Sequence, residues 1–316
     1  MINRPICVNP CPSVVKFLNM KVLITGASGL VGTELQKSFA AQGYEILLAS
    51  RKVTTDDRHI QWSVEGGFTD PEKLEGIDAV VHLAGENVSG LRWTDDKKKA
   101  IRDSRVLGTR NVVDAISKLK NKPKVFVASS AIGFYGERGD EEVTESSAAG
   151  DNFLAEVSKA WEAESRRAED AGIRTVLLRT GIVLSKDGGA LSTMLLPFKL
   201  GVGGVVGSGK QWMSWISLPD EIDVINFVIE NENIRGAVNA VSPNPVTNHD
   251  FTKTLGEVLY RPTFFPLPEF AVSMVFGEMG DVLLLTSTKV MPKRLEDAGF
   301  EFKYPDLKAA IEYAVK

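Results

Sequence analysis

Three glycines point to the chemistry this chain is equipped for. Gly26, Gly29 and Gly32 recur at intervals of three in Thr25-Gly26-Ala27-Ser28-Gly29-Leu30-Val31-Gly32. Before them runs the apolar segment Val22-Leu23-Ile24; after them comes a helical pattern, Leu30, Leu35 and Phe39, that stops at Gly43. In a strand–turn–helix unit each glycine has a mechanical reason. The first permits a tight turn, the second lets backbone approach a pyrophosphate, and the third lets the helix pack closely on the strand. The helix N-terminus adds free N–H groups and a partial positive charge. Gly26, Ser28, Gly29, Leu30, Val31 and Gly32 are therefore the expected cradle for a dinucleotide.

Two further positions carry charge where such a unit needs it. The strand Glu45–Ala49 ends in Ser50-Arg51-Lys52. An acidic residue there would accept hydrogen bonds from a ribose 2′-OH, whereas a hydroxyl and two cations suit a 2′-phosphate. NADP(H) is thus expected in preference to NAD(H). Asp56 and Asp57 lie further into the loop and are less well placed. The apolar strand 78–85 ends in Leu83-Ala84-Gly85, small residues that let a cofactor pass against backbone. His82, inside that run, reads as a packed histidine. On the long helix expected over 93–120, Ile101, Arg105, Gly108, Val112, Ile116 and Leu119 trace one stripe. Arg105 is the anomaly, because a guanidinium on a sheet-facing stripe must find an anion or acceptors. An internal ion pair and a contact with cofactor or anionic substrate both satisfy that demand.

The elements that must position these residues alternate. Strands are expected at 22–24, 45–49, 60–62, 78–85, 124–130 and 174–180, with helices between them and another over 151–171. This order implies an α/β fold, a Rossmann-type doubly wound parallel sheet with right-handed crossovers. Gly236–Val241 reads as a strand that completes the sheet. Residues 20–180 form the expected NADP-binding domain, and 181–316 a smaller, mostly helical lobe that covers a substrate. Residues 1–19, with Pro5, Pro10 and Pro12, read as a peripheral extension without a secretory signal. Trp212–Ile216 reads as an edge strand. The loop 204–210 matches the phosphate-loop pattern G-x-x-x-x-G-K, but Gln211 replaces the Ser or Thr that would hold Mg²⁺, and no helix clearly follows.

Bulk composition removes other classes. A net charge of −4 gives no basic field for nucleic acid, and no apolar run approaches the roughly 20 residues that span a bilayer. The two cysteines, Cys7 and Cys11, form no disulfide framework, which fits a reducing cytoplasm. His59, His82 and His249 are scattered without metal-ligand spacing, so no metal is expected. A small-molecule substrate is the expected partner, with homodimerisation left open.

The glycine turn, His82-Leu-Ala-Gly85, Gly108-Thr109 and Ser129-Ser-Ala-Ile-Gly-Phe-Tyr-Gly136 together resemble extended short-chain dehydrogenase/reductases. More narrowly, Ala84-Gly-Glu-Asn87, Ser104-Arg105, Gly203–Gly209, Trp215-Ile216, Asn244–Asn248 and Pro292–Leu295 resemble an atypical NAD(P)-dependent epimerase/dehydratase-like branch with a C-terminal domain of unknown function. The resemblance covers residues 20–316. It implies an oxidoreductase or epimerase acting on a small carbonyl, alcohol or sugar-like substrate, with Lys159 and Arg105 against the cofactor.

The superfamily's Tyr-x-x-x-Lys is broken here, since Lys159 is present but Ala155 stands four residues earlier, and a methyl group moves no proton. The strand-end hydroxyl would be Ser129 or Ser130. A substitute proton donor would be Tyr135, the substrate itself, or a water near those serines, while a packed ring is the other reading of Tyr135. The rival to an enzyme is a catalytically silent NADP(H)-binding sensor or scaffold.

Overall fold

A computed structural model describes residues 20–51 and 56–316. Its centre is an eight-stranded sheet built from β1 (Lys21–Thr25), β2 (Glu45–Ser50), β3 (His59–Ser63), β4 (Gly67–Phe68), β5 (Ala79–His82), β6 (Val125–Ala131), β8 (Arg174–Thr180) and β12 (Gly236–Ala240). The spatial order is β12-β8-β6-β5-β1-β2-β3-β4. All neighbours are parallel except β3 and β4, which form an antiparallel edge. The order reverses beside β1, between β2 on one side and β5 on the other. In an open α/β sheet such a switch point opens a crevice at the carboxyl ends of the strands.

Parallel strands covered on both faces are apolar almost throughout, and alternate residues serve opposite faces. Val22, Ile24, Ala79, Val81, Val127 and Leu178 join one core with α1 (Leu30–Ala41) and α5 (Leu218–Glu230). Leu23, Val80, Phe126, Ala128 and Leu177 join the other, with α2 (Asp95–Ser117) and α3 (Phe153–Asp170). The stripe on α2 is buried at Ile101, Gly108, Val112 and Ile116. Both α2 and α3 begin two residues later than the expected 93 and 151, because the Thr94 and Asn152 side chains accept the N–H groups of Lys97 and Ala155 and fix the starts.

Beyond β8 the chain builds a third apolar cluster from α4 (Gly189–Lys199), α6 (Asn248–Val258) and α9 (Leu307–Val315). Two shorter helices, α7 (Glu269–Phe276) and α8 (Lys293–Asp297), complete this largely helical part. The expected single strand over 212–216 is split at Ser214. β10 (Trp212–Met213) pairs antiparallel with β13 (Val246–Thr247), whereas β11 (Trp215–Ser217) pairs parallel with β9 (Ile182–Leu184). The Ser214 hydroxyl between them bonds to the Thr288 carbonyl and accepts the Val290 N–H, so a third segment holds the break. A further short pair joins β7 (Glu142–Val143) to β14 (Lys289–Val290). Among the described residues no helix is long and apolar enough to cross a membrane.

Candidate functional site

The turn after β1 is held as its glycines require. Gly26 has φ +68°, and a Cβ there would stand 2.7 Å from the Leu83 carbonyl carbon at the end of β5. A Cβ on Gly32 would run into the Gly26 carbonyl oxygen and lie 2.8 Å from Ala27 Cα. The third glycine thus serves contact between helix and turn more than contact between helix and strand. Gly29 is the N-cap of α1; no side chain caps that helix, and its first turn carries no acidic residue. The N–H end of α1 therefore faces the crevice as an uncompensated positive pole.

Thr25 and His82 buttress the turn from beneath. The Thr25 hydroxyl lies 2.7 Å from His82 Nδ1 and accepts the Ala84 N–H at 3.2 Å; His82 Nε2 lies 3.0 Å from the Thr109 hydroxyl. Burial pushes the imidazole down to about 3, so it is neutral near pH 7. Both ring nitrogens are engaged, and the packed reading of His82 holds.

Ser50 closes β2, and Arg51 follows it on the surface beyond the strand's carboxyl end. Lys52 lies outside the described residues. Leu83, Ala84 and Gly85 stand at the end of β5, and Arg105 reaches them from α2. A Cβ on Gly85 would sit 3.4 Å from the guanidinium carbon. Arg105 Nη1 donates to the Glu86 carbonyl at 3.0 Å and the Ile101 carbonyl at 3.1 Å, and its guanidinium stacks on Trp161 at 5.1 Å. Burial lowers it to about 10, against the pull of Glu86, so it remains charged. Backbone carbonyls and a π-face hold Arg105 where an internal ion pair was one expectation.

Residues 22–240 match the model of the NAD dependent epimerase/dehydratase family, and residues 267–314 match a domain of unknown function, DUF1731. The chain belongs to this epimerase/dehydratase family. The epimerase family protein Mb2239 of Mycobacterium bovis is 40% identical over 296 residues, covering 94% of this chain and 98% of the relative. Epimerase family protein YfhF of Bacillus subtilis is 38% identical, with 94% and 98% covered. A crystal structure of the human epimerase family protein SDR39U1 with NADPH superimposes with a TM-score of 0.86 at 36% identity, covering 93% of this chain and 99% of that one.

Within this epimerase-family fold the expected proton-transfer residues do not converge. Tyr135, one candidate donor, has no exposed surface. Its hydroxyl donates to Asn239 Oδ1 at 2.6 Å and accepts from Arg179 Nη1 at 2.9 Å, and burial raises the phenol above its usual value. This corrects the donor assignment, since a hydroxyl closed off from the crevice cannot protonate a substrate there. Ser130 is also committed: it donates at 2.8 Å to Glu162, the carboxylate that Arg179 grips at 2.7 and 2.9 Å.

Strand alternation puts Ser129 on the other face, half-buried, with no side-chain hydrogen bond to a described residue. Ala155 is fully buried, and the Lys159 ammonium is partly exposed and pairs with Glu156. Gln211 ties the loop over 204–210 in place, its amide donating to the carbonyls of Val206 at 2.9 Å and Leu284 at 3.1 Å.

One buried acid went unnoticed in the sequence. Glu221, in the first turn of α5, is 1% exposed and accepts the Thr180 hydroxyl at 2.9 Å on Oε1. Among the described residues its Oε2 has no partner, and burial lifts the carboxyl to about 8 although Thr180 acts the other way. The available signal was an acidic residue on the apolar stripe it shares with Val224, Ile225 and Val228.

Proposed function

We propose that this chain is an NADP(H)-dependent oxidoreductase or epimerase of the extended short-chain type, acting on a small carbonyl, alcohol or sugar-like substrate. The observation that carries this reading is the α1 N-terminus, uncapped and framed by glycines whose side-chain positions are filled by backbone. These residues suit a pyrophosphate, and Arg51, exposed beyond β2, suits a 2′-phosphate. The NADPH in the related human structure supports the same choice of cofactor.

Gly26 to Gly32 would hold the pyrophosphate, Ser50, Arg51 and Lys52 the 2′-phosphate, and Leu83, Ala84, Gly85 and Arg105 the middle of the molecule. When bound, the dinucleotide supplies a hydride acceptor or donor at its nicotinamide ring. Lys159 would stand with its positive charge against the cofactor, as the family resemblance implies. Ser129 presents the remaining strand-end hydroxyl, which holds a water or a substrate oxygen for proton exchange. The lobe over 181–316 excludes bulk water from the reacting carbon.

Ala155 favours a second reading. With a methyl group in place of the acid/base phenol, the chain would bind NADP(H) without turnover as a sensor or scaffold. Fluorescence titration with NADPH and NADH, on the native chain and on Arg51→Ala, tests the first reading. Arg51→Ala is expected to weaken NADPH roughly ten- to a hundredfold and leave NADH unchanged. Equal loss for both nucleotides sinks the 2′-phosphate assignment. Tight NADPH binding with no consumption across a carbonyl panel selects the silent reading.

A further inference from the structure

The helical lobe leaves large apolar side chains uncovered. Leu196 and Leu200 are one turn apart at the end of α4, and Val202 lies just beyond it. Tyr260, Phe264 and Phe265 occupy the turn that follows α6, and all six side chains are between 54 and 88% exposed. Backbone contacts hold the two stretches side by side. Arg261 Nε donates to the Lys199 carbonyl at 2.9 Å, the Leu267 N–H donates to the Val205 carbonyl at 2.8 Å, and a Cβ on Gly204 would run into the Phe265 carbonyl. The six therefore belong to one patch, of the kind that marks an interaction surface.

The fold gains little from these residues where they stand. Tyr260 lies two residues past α6 with φ +54°, and its N–H and that of Arg261 close the helix on the Glu257 and Gly256 carbonyls at 3.0 and 2.8 Å. Glycine usually fills that left-handed position, because a side chain there is strained. Here it is a tyrosine, the most exposed of the six, with no burial in return. Pro197, Pro262 and Pro266 are exposed on the same two stretches and stiffen their backbone, so docking costs little chain entropy.

Charge selects what the patch meets. No acidic residue occurs over 188–210 or 258–268, whereas Lys199 and Arg261 lie within the patch and Lys253 reaches its edge, donating to the Thr263 hydroxyl at 3.0 Å. The acids that bracket the second stretch face elsewhere, Glu257 onto Lys308 at 2.6 Å and Glu269 beside Gly207. A second copy fits poorly, since a self-complementary contact would bring these cations to their counterparts and supply no acid. A bilayer rich in anionic lipid answers both features, with negative headgroups over an apolar layer. We propose that this face of the lobe rests on an anionic bilayer. Tyr260, Phe264 and Phe265 enter the boundary between headgroups and acyl chains beside the α4 leucines, and Lys199 and Arg261 meet lipid phosphates. The contact is peripheral and independent of the nucleotide reading.

The full chain is sedimented with vesicles of phosphatidylcholine alone and of an equal mixture with phosphatidylglycerol, at low and high salt. The native chain is expected to bind the mixture, more weakly as salt rises, and to bind phosphatidylcholine far less. Phe264→Ser combined with Phe265→Ser should weaken binding about tenfold or more, and Lys199→Gln combined with Arg261→Gln roughly fivefold per cation removed. Both pairs should keep the native unfolding midpoint, as the side chains are exposed. No binding to the mixture, or binding that neither pair alters, overturns the proposal. So does a native chain that sediments as a dimer and becomes monomeric in the phenylalanine pair, because a second copy then covers the patch. Should that pair fail to fold, Tyr260→Asn, which suits a left-handed backbone, carries the same decision.

Discussion

The two ends of the crevice have been built to opposite rules. Around β1 and α1 the chain leaves backbone bare: glycines stand where side chains would collide, a helix has no cap, and Arg51 extends from the surface. Around Tyr135, between β6 and α3, the buried polar side chains are committed to one another. Ala155 and Tyr135 have no exposed surface, and Ser130, Glu162, Arg179 and Asn239 satisfy one another. Groups kept for ligands are left short of partners, whereas groups kept for the fold are saturated. The difference separates nucleotide binding, which needs open amides, from the superfamily's phenol-based proton transfer, whose place is packed shut.

The widest expected effect is on pH. His82, behind the binding end, is neutral in the folded chain and titrates near 3 instead of 6.5, so stability is full above about 6.5 and is lost as pH falls toward 3. Glu221, at the other end, binds its proton more tightly folded than unfolded. Its contribution is full below about 4.5 and is lost as pH rises toward 8. Denaturant titrations across this range should show decline on both sides, and Glu221→Gln should flatten the alkaline side alone. An alkaline side that survives Glu221→Gln breaks the assignment.

Glu162→Ala comes next. It strands Arg179, 3% exposed, and should cost about 3–5 kcal/mol in thermal or denaturant unfolding, while the folded fraction binds NADPH with native affinity. Gly32→Ala should show the reverse balance. Its methyl group enters the Gly26 carbonyl, so destabilisation of about 1–3 kcal/mol accompanies a loss of nucleotide affinity that calorimetry can read. Native affinity in Gly32→Ala would erase the contrast between the two ends. The smallest change is Tyr135→Phe, which should cost about 1–2 kcal/mol of stability from the stranded Asn239 and Arg179 groups. Nucleotide binding and any turnover should persist, and a stable but inactive Tyr135→Phe would return the phenol to the chemistry.

Much of the nucleotide end was legible in the sequence because its demands are local. The collisions that fix Gly26 and Gly32 come from a turn within six residues and from the end of the neighbouring strand. The parallel sheet was legible for a similar reason, as apolar strands alternate with apolar helix stripes at short range. The fate of Tyr135 was not, because its partners stand 44 and 104 residues away and nothing local distinguishes a phenol aimed at a crevice from one aimed at Asn239. The split at Ser214 depended on Val246–Thr247, on Ile182–Leu184 and on Thr288, three separate stretches. Arg105 stood out as a cation on an apolar stripe. The same reasoning applied to α5 would have exposed Glu221.

The short ladders of the second half set how the molecule comes apart. β10–β13 and β7–β14 have two residues on each side and β9–β11 three, against an eight-stranded sheet whose strands bury residues such as Leu23 and Val127 completely. Amides held by so few neighbouring bonds open at low free energy, whereas those in a buried parallel sheet exchange only with global unfolding. Deuterium should therefore enter at Met213 and Val246 long before it reaches Leu23, with these short ladders breathing on a frame that stays shut.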